Sequence, residues 1–196
     1  EEIEQLLNYI YASLSSLSGI QYKHSLRDAA VIEVFFATGA RVYEISNIRA
    51  ENINLNSGLI RIMGKGGKER YIQISNTAVL DILRKYYTEN EPEIKKSGYF
   101  FINNRGNRYT EQSIRLMLKK YTLKAGIQRT ITPHMFRHSF ATYLIEEGVD
   151  VSCVQQILGH SSIKTTQIYI HVAAKKQADI LRELHPRNNM NIVKVA

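Results

Sequence analysis

ENINLNSGLIRIMGKGGKERYIQIS, Glu51–Ser75, is where this chain alternates apolar and polar residues instead of spacing them three and four apart. Its short segments are separated by NSG and GKGG, the glycine-rich punctuation of a three-stranded antiparallel meander. On both sides of it the pattern is helical. The predicted fold class is therefore mainly α with a small antiparallel three-stranded β-sheet, an α+β architecture within one domain.

Toward the N-terminus, Ile3, Leu6, Leu7, Ile10 and Leu14 form a helical stripe that SSLSG breaks. A second helix is expected from Ser25 to a stop at Gly39, followed by a short one over Val42–Ile48. Toward the C-terminus, Asn76 is placed to cap a helix reaching Tyr87, which NEPEIKKSG interrupts. After YFFIN and the turn NRGNR, Thr110 opens a helix that ends at Gly126. The last third reads as consecutive helices: TPHMFRHSFATYLIEEG, with Thr132 as cap and Pro133 in the first turn, then DVSCVQQILG, SIKTTQIYIHV and KKQADILREL, up to Pro186.

With 196 residues and 44% hydrophobic content, the chain can bury one substantial core. Lys and Arg total 26 against 18 Asp and Glu, a net charge of +8 that favours a polyanionic partner. The single cysteine, Cys153, cannot form an internal disulfide and reads as a buried, reduced thiol. No apolar run approaches the ~20 residues needed to span a bilayer, and the expectation is a cytoplasmic protein without membrane contact. The chain opens on EEIEQLL without a methionine, so an upstream domain is expected to lie outside it.

Several residues can carry chemistry, and each has a plainer reading beside it. His134 and Arg137 are three apart on one helix, so both can reach one anion near the helix N-terminus, or one packs while the other makes a structural ion pair. Arg41 emerges from an apolar helix end and either meets a substrate or pairs with Glu44. Lys65, in GKGGK, sits at a hairpin tip where glycines allow close approach to a ligand; Lys68 is equally placed by composition, and a solvated tip is the alternative. His138 reads as a supporting residue. His134 and His138 have the spacing of a helical zinc pair, but HMFRH lacks the glutamate of the zinc-protease motif, and no metal or other cofactor is expected. In LGHSSIKTTQIYIHV, Leu158–Val172, His160 and Tyr169 stand nine apart, and Tyr169 is either a packed aromatic or a reactive phenol.

Taken in order, ATGARVYEI, GKGGKERYIQI, ITPHMFRHSFATYLIEEGVDVSCVQQILGHSSIKTTQIYIHV and the closing HPR resemble the catalytic domain of the tyrosine recombinases, the phage integrase and Xer-type family. The resemblance covers roughly residues 25–187 and is most specific from His134 to Tyr169. Ala40, Tyr43, Phe136 and Ile170 depart from the commoner family residues, yet none removes a charged or nucleophilic group.

The resemblance implies a catalytic domain over residues 1–187 with a tail over 188–196, and an N-terminal DNA-clamping domain absent from this chain. It assigns Arg41 and Arg137 to the scissile phosphate, Lys65 to the hairpin lysine, His134 and His160 to the flanking histidines, and Tyr169 to the nucleophile. The implied activity is site-specific recombination of double-stranded DNA, in which strands are cut and rejoined without metal through a 3′-phosphotyrosyl intermediate, in integration, excision or resolution. A type IB topoisomerase and a catalytically silent DNA-binding module are the alternatives. The resemblance further implies a monomer in isolation and a tetramer on paired DNA sites. In that assembly the stripe Ala178, Ile180, Leu181 and Leu184 would pack on a neighbouring protomer; docking onto its own domain is the alternative.

Overall fold

The computed structural model describes residues 2–64, 67, 69–159 and 178–190. Three of the residues singled out above, Lys65, His160 and Tyr169, lie outside them, as do Lys68 and the stretch SIKTTQIYIHV.

Helices α1 (Glu2–Leu14) and α2 (Gly19–Thr38) open the fold. From Ser25 to Thr38 every residue of α2 is buried, and the helix packs against α1, α4 (Thr77–Ser97) and α6 (Pro133–Glu146). It is the axis of the molecule. A short helix α3 (Val42–Ser46) follows, then the sheet of β1 (Ile53–Asn54), β2 (Leu59–Met63) and β3 (Glu69–Gln73) in the order β1-β2-β3, antiparallel throughout. Ile60 pairs with Ile72 and Ile62 with Arg70, so Ile60, Ile62 and Ile72, all fully buried, share the inner face with Arg70. Helices α5 (Glu111–Lys124) and α7 (Val151–Leu158) complete the domain, α5 against α1 and α3, α7 against α6.

Two helix boundaries differ from the expected ones. Helix α2 begins at Gly19, six residues before Ser25, with Ser18 in extended conformation at its N-cap. The extra turn has weak apolar spacing, and Ile20 points to solvent at 67% exposure. The interruption expected at NEPEIKKSG is a kink instead: Asn90 leaves helical dihedrals at φ −131° and donates its side-chain N–H to the Tyr86 carbonyl. Helix then resumes through Ser97, with Pro92 in its first turn, where a missing N–H costs least. Cys153 is half-buried, not enclosed, because only one side of the short α7 meets the core, where Val154, Ile157 and Leu158 lie.

The turn between α2 and α3 is closely packed. Gly39 adopts φ +57° and its N–H donates to the Phe35 carbonyl, closing α2 with a left-handed cap. A Cβ at Gly39 would lie 2.6 Å from Leu158 Cδ2 and 2.7 Å from Phe140 Cδ1. Gly39→Ala therefore combines backbone strain with overpacking, and a loss of about 3 kcal/mol is expected. Denaturant melts of the two proteins measure it.

The C-terminal segment docks on its own domain. Residues 178–183 are helical, Leu181 is 1% exposed in the chain's core, and Ile180 and Leu184 pack partly against it. In the single chain the stripe thus takes the alternative seat, its own core offering the apolar surface it needs, while packing on a neighbour is the expectation for the assembly on DNA. His185-Pro186-Arg187 follows and is buried. His185 lies between the rings of Phe36 and Phe140, its Nδ1 accepts from the Arg187 N–H, and burial pushes its pKa down to about 4 against an opposing pull from the Ala37 backbone. Arg187 Nε donates to Glu33 Oε1 at 3.0 Å, and the Tyr11 hydroxyl donates to the same oxygen. Glu33 is fully buried in mid-α2, where burial raises its pKa and Arg187 and Tyr11 oppose the rise. Three segments far apart in sequence are clasped there around one carboxylate.

Candidate functional site

The α2–α3 turn delivers Arg41. Ala40, at 0% exposure, fixes the backbone, and the Ala40 N–H donates to the Thr38 hydroxyl. Arg41 then stands at the N-cap of α3 with its side chain 43% exposed. Glu44 ties it down twice: the Arg41 backbone N–H donates to Oε2 at 2.7 Å and its Nη1 to Oε1 at 3.1 Å. The plain reading of Arg41, a pair with Glu44, is present, and the guanidinium remains open to solvent on its other side.

Arg137 is one turn into α6, whose N-cap is Thr132 by position only, since its side chain makes no cap hydrogen bond. Its Nη1 donates to the Gly39 carbonyl and its Nη2 to the Leu158 carbonyl, both at 2.9 Å. One guanidinium thus joins the ends of α2 and α7. Burial and then Arg41 push its pKa down to about 10, with Glu44 opposing and Arg70 adding to the depression. Arg137 is still cationic at neutral pH, and an incoming anion would relieve that repulsion.

His134, one turn before Arg137 on α6, is exposed and lines a groove of about 450 Å³ with Val42, Leu116, Lys119 and Pro133. Its neighbour Val42 directly follows Arg41. His138 does not join this group. It lines a separate cavity of about 710 Å³ on another side of α6, with Met135, Tyr143 and Met190.

Arg70 was not among the residues marked by the sequence. It reaches from β3 to Glu44 with a two-pronged pair, Nη1 to Oε1 and Nη2 to Oε2, each 2.8 Å. Burial pushes the Glu44 carboxyl up, but the Arg70 hydrogen bonds and charge, with Arg41 behind them, hold it below its ordinary value. The signal that finds Arg70 is strand alternation. Two residues before buried Ile72, it must face inward, and an inward arginine needs a carboxylate. Three guanidiniums around one carboxylate leave an excess of two positive charges, suited to a phosphodiester.

This mainly helical domain with its small sheet, converging on an arginine-rich junction, has known counterparts. The chain belongs to the phage integrase family, whose model matches residues 1–176. It is 45% identical over 190 residues to a tyrosine recombinase of Agathobacter rectalis, covering 96% of this chain and 62% of that protein. It is 42% identical over 166 residues to tyrosine recombinase XerD of Listeria monocytogenes, covering 83% of this chain and 56% of the relative. Among solved structures, XerH site-specific recombinase bound to palindromic difH substrate superposes with a TM-score of 0.69 at 28% identity, over 91% of this chain and 50% of that one. The chain therefore spans roughly three fifths of the length of these curated relatives. Among the described residues, no helix is long and apolar enough to cross a membrane.

Proposed function

We propose that this protein is a site-specific DNA recombinase that cleaves and rejoins strands through a 3′-phosphotyrosyl intermediate. The observation that carries the proposal is the junction of Arg41 and Arg137, positively charged in excess of Glu44 and flanked by exposed His134, in a chain of the phage integrase family. The likeness to XerH site-specific recombinase bound to palindromic difH substrate supports double-stranded DNA as the partner.

Each residue then has a role. Arg41 and Arg137 hold the non-bridging oxygens of the scissile phosphate and neutralise charge as it grows in the transition state. The hydroxyl of Tyr169, with an ordinary pKa of about 10, loses its proton to His134 as its oxygen attacks phosphorus. The bond from phosphorus to the 5′ oxygen breaks, and Lys65 gives that oxygen a proton. His160 donates a further hydrogen bond to the phosphate. The covalent ester preserves the bond energy, so a 5′ hydroxyl of another strand can reverse the step without ATP. Excess basic charge grips the DNA backbone. The chain alone is a monomer, its C-terminal segment folded on itself, and four copies assemble on paired sites.

The test is recovery of DNA covalently attached to the protein in cells, followed by sequencing of the attached ends. A recurring sequence joined through a 3′ phosphate supports the reading, and absence of any adduct defeats it. A second measurement addresses Lys65. Lys65→Ala is expected to slow cleavage by about 100- to 10,000-fold, the usual worth of a general acid. A substrate with sulfur at the 5′ bridging position should restore most of the rate, because a thiolate departs without a proton. Rescue of Lys68→Ala in place of Lys65→Ala would move the role to Lys68.

A further inference from the structure

We propose that Arg70 is a positioning residue for the reaction: by occupying Glu44 from the far side, it keeps the Arg41 guanidinium available to the scissile phosphate. The proposal rests on the recombinase reading above and adds a residue that touches no reacting atom. Its basis is the bonding of Glu44. An ionised carboxylate accepts about four hydrogen bonds, and here each oxygen takes one from Arg41 and one from Arg70. Glu44 is only 1% exposed on its side chain, so water cannot replace a lost partner.

The two arginines differ in what they can do. Arg70 is 12% exposed, committed to Glu44 through both terminal nitrogens, while Arg41 is 43% exposed and uses one. Arg70 supplies the planar two-pronged pair that satisfies the carboxylate. Among the described residues, Arg41 is then held at its backbone and at one nitrogen, and its side chain, 43% exposed, can turn the remainder of its guanidinium to an anion. Without Arg70, the buried carboxylate would keep Arg41 as its hydrogen-bonded cation among the described residues and would draw that guanidinium inward, away from the phosphate.

Arg70 also links the site's parts. It lies on β3, a few residues after Lys65 in sequence, and its side chain passes Gly159 so closely that a Cβ there would lie 3.0 Å from Arg70 Cδ and 3.1 Å from Nη1. Gly159 ends α7 at φ +67°, directly before His160 in sequence. One side chain therefore bridges the sheet, the Arg41 turn and the end of α7.

The experiment measures single-turnover adduct formation on a nicked duplex carrying the site recovered from cells, at protein concentrations that saturate the DNA. Arg70→Met is expected to lower the rate on the order of 100-fold, as small misplacements of a phosphate ligand do, with little change in DNA affinity. Adding Glu44→Gln removes the charge that competes for Arg41, and Arg70→Met/Glu44→Gln should regain about tenfold or more of the loss. A merely structural ion pair would also regain stability when its second partner is neutralised, so the recovery is read only between variants that the melts show fully folded at the assay temperature. Thermal melts of each variant accompany the rates. If Arg70→Met melts below the assay temperature, Arg70→Lys, which keeps the charge but not the fork, is compared with Arg70→Lys/Glu44→Gln in the same way, with the same recovery expected. A single variant at the wild-type rate, or a folded double variant no faster than the single one, overturns the proposal. A wild-type protein that forms no adduct overturns the recombinase reading itself, and this proposal with it.

Discussion

Tyr169→Phe is expected to eliminate the covalent protein–DNA adduct, a loss on the order of a million-fold or more, as when an enzyme nucleophile is deleted. Only one oxygen is removed. The aromatic ring is kept, and DNA binding should stay within a few-fold of the wild type. The two readouts must separate for the assignment to hold. On a nicked suicide substrate, religation is prevented and any adduct accumulates, so even slow residual attack becomes visible. An adduct of undiminished yield would show that another residue is the nucleophile, and mapping the modified peptide would identify it.

The second large effect is expected from Arg137→Lys. The substitution preserves the charge, so the salt dependence of DNA binding should be unchanged, since that slope counts neutralised phosphates. What it removes is shape. The guanidinium donates simultaneously to the Gly39 and Leu158 carbonyls, and a lysine ammonium on a flexible stem cannot hold both while facing a phosphate. Cleavage should fall by about 100- to 1,000-fold, the cost of losing one preorganised transition-state donor. A change in the salt slope, with cleavage of bound DNA intact, would instead make Arg137 a simple charge contact.

The fold class was legible because the meander at Glu51–Ser75 announces itself by alternation and glycine, and the flanking helices by their stripes. Boundaries were less so. The all-buried run of α2 has no polar face to mark its phase, so its first turn, with Ile20 exposed, fell outside the expected helix. In the site, the sequence singled out Arg41, His134 and Arg137 and proposed the Arg41 to Glu44 pair, a contact across three residues that local spacing reveals. Arg70 escaped because its partner is 26 residues away, and only the inward phase of β3 betrays it. His138 shares a helix and a one-turn spacing with His134, yet His134 in the first turn lines a groove with Leu116 and Lys119, while His138 one turn on lines a cavity with Tyr143 and Met190. For the apolar stripe at residues 178–184, amphipathicity states that a surface is needed and is silent on whose surface it is; burial of Leu181 in the chain's own core answers for the single molecule.

The clasp around Glu33 bears on how this sequence can vary. Tyr11, Glu33 and Arg187 belong to three distant segments but share one carboxylate oxygen. Replacing Arg187 alone strands a fully buried anion, and replacing Glu33 alone strands a nearly buried cation, steps costing about 3 to 5 kcal/mol each. An apolar trio of similar volume would be no less stable, so the barrier lies between two acceptable states and not in either of them. Drift at these three positions is therefore expected to be concerted: related sequences should carry either the whole charged set or a wholly neutral one, and mixed combinations should be rare.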